Sequence, residues 1–318
     1  MDRVTVTVPA RLHLGFLDLN GGLGRKFGSL GLSISEPVTR LTLSRAPASS
    51  VSGPESGRAG KHLDSMSRHL GIDRRYALAI EEAMPGHSGL GSGTQLAMAV
   101  AAAVRRINSL ALDPAGDAEV LGRGARSGVG IGLFATGGFA LDGGRGPGGV
   151  PAPVISQMPW PEQWRIILLL DPHFTGVHGQ AEVDAFAALG EFPAIEAAWL
   201  CRVALMQMLP ALAEHDIAAF GAAVAEIQRR LGDHFAAAQG GRFTSPAVGK
   251  AALALEQAGA HGIGQSSWGP TGFAFAPSQS DAERLVKEMP QAPGLDIRIV
   301  RGNNRGAIIE QHSKASVA

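Results

Sequence analysis

The groups best able to do chemistry fall in one run, Met84-Pro-Gly-His-Ser-Gly-Leu-Gly-Ser-Gly-Thr94. Gly86, Gly89, Gly91 and Gly93 place four glycines within eight residues. Glycine lets successive backbone N–H groups turn toward one point, and the first N–H groups of a helix have no partner inside it. A glycine-rich loop that opens a helix is therefore an anion site, with phosphate or pyrophosphate as its usual guest. One glycine would read as a tight turn. Four of them, ending in the hydroxyls of Ser92 and Thr94, favour phosphate.

The flanking elements must hold this loop in place. A strand over 76–84 leads into it, and an apolar helix over 94–107 leaves it. Leu96, Val100, Val104 and Ile107 recur at helical spacing, while Gln95, Arg105 and Arg106 fall elsewhere. Upstream, Val4, Val6 and Val8 alternate with polar residues, as do Leu12, Leu14 and Phe16. This predicts two antiparallel strands separated at Pro9. His13 on such a strand faces either solvent or a site. A glycine loop at 20–24 precedes the basic pair Arg25-Lys26, and 29–35 and 38–44 read as strands joined around Pro37. Residues 46–60 are a Pro/Ser/Gly surface loop, and 61–70 a helix. Asp113-Pro114 starts a short helix, Asp as cap and Pro at the first position. Between Arg126 and Asp142 a second glycine-rich turn runs into one or two strands. The first half is thus an α+β pattern.

The Gly/Pro-rich stretch 143–153 divides the chain into an N-terminal domain, 1–153, and a C-terminal domain, 154–318. The second half opens with a buried strand at 165–171. A loop with Asp171, His173 and His178 follows, then Glu182; the histidines are five apart and form no clear metal pair, so the loop is expected to be solvated. Helices are predicted at 182–189, 194–209, 211–231, 245–257 and 280–289. Strands fall at 263–268, 272–276 and 295–300, and the tail beyond Glu310 is expected to fray. Asn303-Asn-Arg-Gly306 is a turn.

The chain has 318 residues, enough for about two domains. Lys plus Arg and Asp plus Glu are both 28, which argues against nucleic-acid or membrane-surface partners. Cys201 is the single cysteine, so no internal disulfide or cysteine metal cluster can form. It is expected to be a small core residue in a reducing compartment. The N-terminus alternates like a strand, not a signal peptide, and no apolar run is expected to reach membrane-spanning length. A cytoplasmic protein is expected.

Pro85-x-x-x-Gly89-Leu-Gly-Ser-Gly-Thr94 resembles the phosphate motif of the galactokinase, homoserine kinase, mevalonate kinase and phosphomevalonate kinase (GHMP) superfamily. The usual ending there is Gly-Leu-Gly-Ser-Ser-Ala, so Gly93 and Thr94 depart from it. Residues 262–273 resemble the group's late glycine motif, and Pro9-Ala-Arg-Leu-His-Leu-Gly15 its first motif. The resemblance implies a two-domain α+β fold, with antiparallel sheets, helices on one side, and a cleft between the halves. Many of these kinases carry a Pro-Ser-Gly-Ile-Asp-like stretch whose acid serves the acceptor hydroxyl. Here the stretch reads Arg126-Ser127-Gly128-Val129-Gly130, and glycine accepts no proton. Asp142 lies beyond the turn and is no simple replacement. One branch that has left kinase chemistry is the β-ribofuranosylaminobenzene 5′-phosphate synthase family. It carries an Arg-Leu-His-x-Gly-type strand, a Gly-rich loop with a basic residue, an Arg-Ser-Gly-x-Gly stretch and a Gln-Ser-Ser-Trp-Gly-Pro motif. All four stand in this chain, the last as Gln265 to Pro270.

That family joins phosphoribosyl pyrophosphate to 4-aminobenzoate in methanopterin biosynthesis, releasing CO2 and pyrophosphate. The resemblance implies pyrophosphate on Gly89, Leu90, Gly91, Ser92, Gly93 and Thr94, and Mg²⁺ contacts from the Ser92 and Thr94 hydroxyls. Arg25, Lys26 and Arg126 would be cationic partners. Arg11, His13, Arg126 and Gln265 are the catalytic candidates. Ser127, Ser266, Ser267, Trp268 and Arg305 are further binding candidates, though Trp268 reads more simply as core. Rearomatisation proceeds by loss of CO2, so the chemistry needs no strong base at the attacked carbon. The expected partners are small-molecule substrates and a second copy of the chain. Two other readings fit the same residues, an ATP-dependent small-molecule kinase and a non-catalytic phosphometabolite sensor.

Overall fold

The computed structural model describes residues 2–148 and 150–312. The N-terminal half contains β1 (Arg3–Asp18), β2 (Phe27–Arg45), β3 (Ser50–Ser52), α1 (Ser56–His69), β4 (Tyr76–Glu82), α2 (Ser92–Ile107), α3 (Pro114–Val120), α4 (Val129–Thr136), β5 (Phe139–Asp142) and β6 (Val154–Met158). Then come β7 (Arg165–Leu170), α5 (Gly179–Ala188), α6 (Ala194–Val203), a π-helical turn (Ala204–Met208), α7 (Leu209–Ala213) and α8 (Ile217–Gln239). The chain ends with α9 (Pro246–Gln257), β8 (His261–Gln265), β9 (Gly272–Ala276), α10 (Gln279–Glu288), β10 (Asp296–Arg301) and β11 (Ile308–His312).

Two sheets result. One runs β11-β1-β2-β4-β3, with β5 on β2 and β6 on β5; the other runs β10-β7-β9-β8. All pairings are antiparallel except the short β3–β4 pair. Sheet membership does not follow the 153/154 division. β6 and β11 both belong to the first sheet, so the chain leaves it after Met158 and returns for its last strand.

The expected breaks at Pro9 and Pro37 are absent. β1 and β2 pair from Arg3 opposite Ser44 to Asp18 opposite Phe27, with register shifts beside Pro9 and beyond His13. A bulge accommodates a residue that cannot donate to the ladder, and the strand continues. Three other expectations change. The 46–60 loop contains β3 and the start of α1. The second glycine turn opens helix α4, not a strand; this eight-residue apolar run is too short for its period to be read. Cys201 is exposed, not core. The tail expectation meets β11 through His312, and 313–318 lie outside the described residues.

Ala194–Ala213 is, against expectation, long and apolar enough to cross a membrane by length and composition. The run is nevertheless interrupted by the π-helical turn and Pro210, and 39% of it is buried within the protein. Helix α2 packs on β1 and β2, bringing its N-terminus to the middle of β1, where Arg11 and His13 lie. β7 shows why a strand can read as one apolar run. Ile166 and Leu168 join the large core with Trp160 and Phe220, while Ile167 and Leu169 join a second core under α9 and α10.

Candidate functional site

The glycine loop is held in a shape that only glycine allows. Gly89 and Gly91 sit at φ +84° and +79°, and Gly91 caps α2. A Cβ on Gly89 would lie 2.3 Å from the Ser266 carbonyl oxygen. A Cβ on Gly91 would lie 2.8 Å from Arg11 Nε. The Arg11 side chain thus lies directly under the helix start. Its Nε and Nη1 are buried and have no partner within the protein. Burial lowers the Arg11 pKa to about 10, with Asp142 opposing the shift, so the guanidinium remains a cation at neutral pH.

Gly130, where the kinases' acid is missing, faces the same guanidinium. A Cβ there would lie 3.0 Å from Arg11 Nε and 3.2 Å from Thr94 Cγ2. The space is therefore bordered by a cation and a threonine methyl. Asp142 is fully buried and supports this turn. Its Oδ2 accepts from Gly128 N (2.8 Å) and Ser127 Oγ (3.3 Å), and its Oδ1 from Ser29 N (3.1 Å) and Gly144 N (2.9 Å). Burial pushes its pKa up, against these hydrogen bonds.

The late motif ties the loop to β1. Ser266 Oγ donates to the Gly89 carbonyl (2.7 Å) and accepts from His13 N (2.9 Å), and Ser267 N donates to the His13 carbonyl (3.2 Å). Gln265 is spent on structure: its Oε1 accepts from Thr244 N (2.7 Å), and its Nε2 donates to Gln239 Oε1 (3.3 Å). It positions the motif. Trp268 is 5% exposed and packs 4.7 Å from Phe235 and 5.2 Å from Phe186, as the core reading expects.

The cations at the loop mouth differ from the expected set. A pocket of about 260 Å³ over Gly89, Gly91, Ser92, Gly93 and Thr94 is also lined by Arg58 and Arg123. A Cβ on Gly93 would lie 3.5 Å from Arg123 Nη1 and 3.6 Å from Arg58 Nη1. Arg123 Nε is buried without a partner. Arg25 instead donates to the Gly143 and Gly144 carbonyls (2.7 and 2.6 Å), and the exposed Lys26 lies 6.0 Å over Phe27. Arg126 pairs with Glu182 (2.5 Å) and covers Phe186. Arg305 is exposed in a turn whose backbone packs on Gly137, at the far end of α4 from Gly130. Arg58 and Arg123 lie outside the motifs that carried the family resemblance; α1 and the α3–α4 turn bring them in.

The 171–179 loop is largely exposed, as expected, and is tethered at several points. His178 stacks on His87 with ring centres 3.6 Å apart, and Gly176 N donates to the His87 carbonyl (2.8 Å). Asp171 Oδ2 accepts from Ser245 Oγ (2.6 Å). His13 is 4% exposed, and its Nε2 has no partner. Burial and the nearby Arg11 lower its pKa to about 3, so it is neutral at ordinary pH.

Fold and loop together define a GHMP-superfamily protein. Residues 58–138 match the GHMP kinases N terminal domain, and 208–294 the GHMP kinases C terminal family. The homoserine kinase of Cytophaga hutchinsonii shares the fold at a TM-score of 0.68 and 18% identity, over 98% of each chain. Within that class the chain belongs to the β-ribofuranosylphenol 5′-phosphate synthase family. The synthase of that name from Methanothermobacter thermautotrophicus is 32% identical over 96% of this chain and 98% of its own. The Archaeoglobus fulgidus synthase is 31% identical over 95% and 98%.

Proposed function

We propose that this enzyme transfers phosphoribose from phosphoribosyl pyrophosphate to the ring carbon of 4-aminobenzoate or its 4-hydroxy counterpart, releasing CO2 and pyrophosphate. The relatives' names carry a phenol, which brings the hydroxyl acceptor in beside the amine. The observation that carries the reading is the site's charge. At the position where a kinase would deprotonate an alcohol, Gly130 faces the Arg11 guanidinium, and Arg58 and Arg123 stand over the loop. Such a position stabilises a departing polyanion and offers no base at Gly130.

In this reading the diphosphate sits on the N–H groups of the loop and the first turn of α2. The C1′–O bond breaks with its electron pair going to pyrophosphate, and Arg11, Arg58 and Arg123 stabilise that charge. The ring carbon bearing the carboxylate bonds to C1′. The C–CO2⁻ bond then breaks, and its electron pair restores the aromatic ring. Ser266 and Gln265 hold β1 against the loop throughout, and Asp142 holds the 126–130 turn.

Mg²⁺ suits the pocket as an ion delivered on the diphosphate. The oxygen donors among the pocket's side chains are the Ser92 and Thr94 hydroxyls and the Glu182 carboxylate, which also pairs with Arg126, and Mg²⁺ would take its remaining ligands from phosphate oxygens and water. It would supply charge neutralisation to the leaving group. A homodimer in the cytoplasm completes the reading. Exposed Ile195, Trp199, Leu205 and Met206 on one segment support a contact between copies there.

The test is incubation with carboxyl-labelled 4-aminobenzoate, phosphoribosyl pyrophosphate and Mg²⁺. Labelled CO2 released without ATP is the expected result. No release with either the amino or the hydroxy acid refutes the reading.

A further inference from the structure

Two stacked imidazoles stand at the mouth of the glycine-loop pocket. His87 lies in the loop and His178 caps α5; their rings are within 21° of parallel, with centres 3.6 Å apart. Both residues are exposed, and both line the pocket beside Arg58, Arg123 and Glu182. The backbone fixes the pair from two sides. Gly176 N donates to the His87 carbonyl (2.8 Å). A Cβ on Gly176 would lie 2.3 Å from the Gly269 carbonyl oxygen, so the 171–179 loop is seated on the late motif. His87 itself takes φ +54°, a left-handed value in which histidine, asparagine and aspartate are enriched among residues other than glycine.

The contact made by His178 fixes where its hydrogen sits. Nδ1 lies 2.7 Å from the Gly176 carbonyl oxygen, which only accepts, so Nδ1 carries the hydrogen and Nε2 the lone pair. Two neutral rings stack without penalty, whereas two imidazoliums at this separation repel each other. Burial, then His178 and Arg58, hold the His87 pKa below the usual imidazole value, with Glu55 opposing. His87 is therefore neutral in the free protein at neutral pH.

The surrounding charges leave a place for one more cation when a polyanion arrives. Facing His87 are Arg58 and Glu55 from α1 and His178 from the tethered loop, with Arg123 and Glu182 also lining the pocket. Arg58 is paired with Glu55 (2.6 Å) and Glu182 with Arg126, so both charges are largely committed within the protein. Arg123 donates to His62 Nε2 (3.3 Å) and is the pocket-lining cation without an acid partner among the described residues. A diphosphate brings several negative charges beside the stacked rings, and nearby negative charge favours the protonated imidazole.

We infer that His87 and His178 act as one proton-taking unit of the donor site: the pair takes up a single proton as the diphosphate binds, and the imidazolium so formed donates to a phosphate oxygen while its neighbour stays neutral. The inference rests on the diphosphate reading of the loop above, and adds two residues to the donor site and a pH dependence to its affinity. Binding that takes up a proton weakens as pH rises, by up to about tenfold per pH unit. Pyrophosphate's own ionisation is the same whichever protein it meets, so comparison with a variant isolates the pair.

Calorimetry on the full-length protein with Mg²⁺ and inorganic pyrophosphate, in two buffers of different protonation enthalpy, counts the protons. The comparison is the double variant His87→Asn with His178→Asn. Asparagine is tolerated at the first position's φ and favoured as a helix N-cap at the second, and both sites are exposed. At about pH 7 we expect the wild-type protein to take up at least roughly half a proton more per pyrophosphate than the variant, and its affinity advantage to shrink as pH rises. Equal proton counts with pyrophosphate still bound overturn the inference and leave the loop reading standing. No pyrophosphate binding to either protein removes both. The wild-type protein alone gives a second readout. With labelled histidine rings, one titration midpoint should rise by about one pH unit or more on pyrophosphate binding. No midpoint rising overturns the inference whether or not the variant folds. If the proton is taken up but no CO2 is released from the full substrates, the pair stands and the transfer reading fails.

Discussion

At the residue scale the account turns on Gly130 and Arg11. The absent acid was legible in the sequence, because the Arg126-Ser-Gly-Val-Gly130 stretch resembles the kinases' motif around it. What replaces it was not, since Arg11 is more than a hundred residues away and only the fold brings its side chain to Gly130. Arg58 and Arg123 each lie about 30 residues from the loop in sequence, and the packing of α1 and the α3–α4 turn brings them to it. Arg25 and Arg126 stand in the motifs that carry the family resemblance, and the structure spends them on carbonyls and on Glu182. Restoring the kinase-like residue should therefore not restore a kinase. In Gly130→Asp the new carboxylate would pair with Arg11 and remove its charge from the leaving group. We predict at least a roughly hundredfold loss of transfer, as for removal of one preorganised charge-stabilising donor, and no gain of ATP-dependent phosphorylation. Steady-state assays of both reactions on the variant check this.

At the element scale, most of the site's frame was readable where periodicity was strong. The strand–loop–helix unit of β4 and α2 was predicted to within about two residues at each end. α4 was misread because Val129–Thr136 is apolar on every side and carries two interior glycines, so it lacks a polar stripe to mark a helix. The long strands were split because proline reads as a stop, whereas the tertiary pairing of β1 with β2 carries both through. No sequence signal exposed the clip made by Ser266. Its hydroxyl joins β1, the glycine loop and the β8–β9 turn, and it is fully buried. Ser266→Ala should leave the His13 N–H and the Gly89 carbonyl without this partner, each at a cost of about 1–3 kcal/mol. The expected outcome is a lower thermal midpoint and a raised KM for phosphoribosyl pyrophosphate. An unchanged KM would remove the clip from the account.

At the scale of the whole molecule, the last strand closes on the first: β11 pairs with β1 beside the residues that begin the site. The division at 153/154 was drawn from a Gly/Pro-rich stretch, a local signal that cannot report which sheet a later strand joins. Ile195, Trp199, Leu205 and Met206 are exposed apolar side chains on one segment, where the proposed contact between copies would form. Trp199→Glu with Leu205→Glu should convert a dimer to monomers at micromolar concentration, read by light scattering. An unchanged mass in the double variant would place the contact elsewhere.

The central claim is that the glycine loop holds a pyrophosphate that leaves, with no nucleotide involved. The most direct measurement is the ratio of pyrophosphate to CO2 formed from phosphoribosyl pyrophosphate and the para-substituted benzoate, in buffer containing Mg²⁺ and no ATP. The account predicts one pyrophosphate for each CO2, at a rate that added ATP does not raise. Product formation that requires ATP and yields ADP, with no CO2, would contradict it.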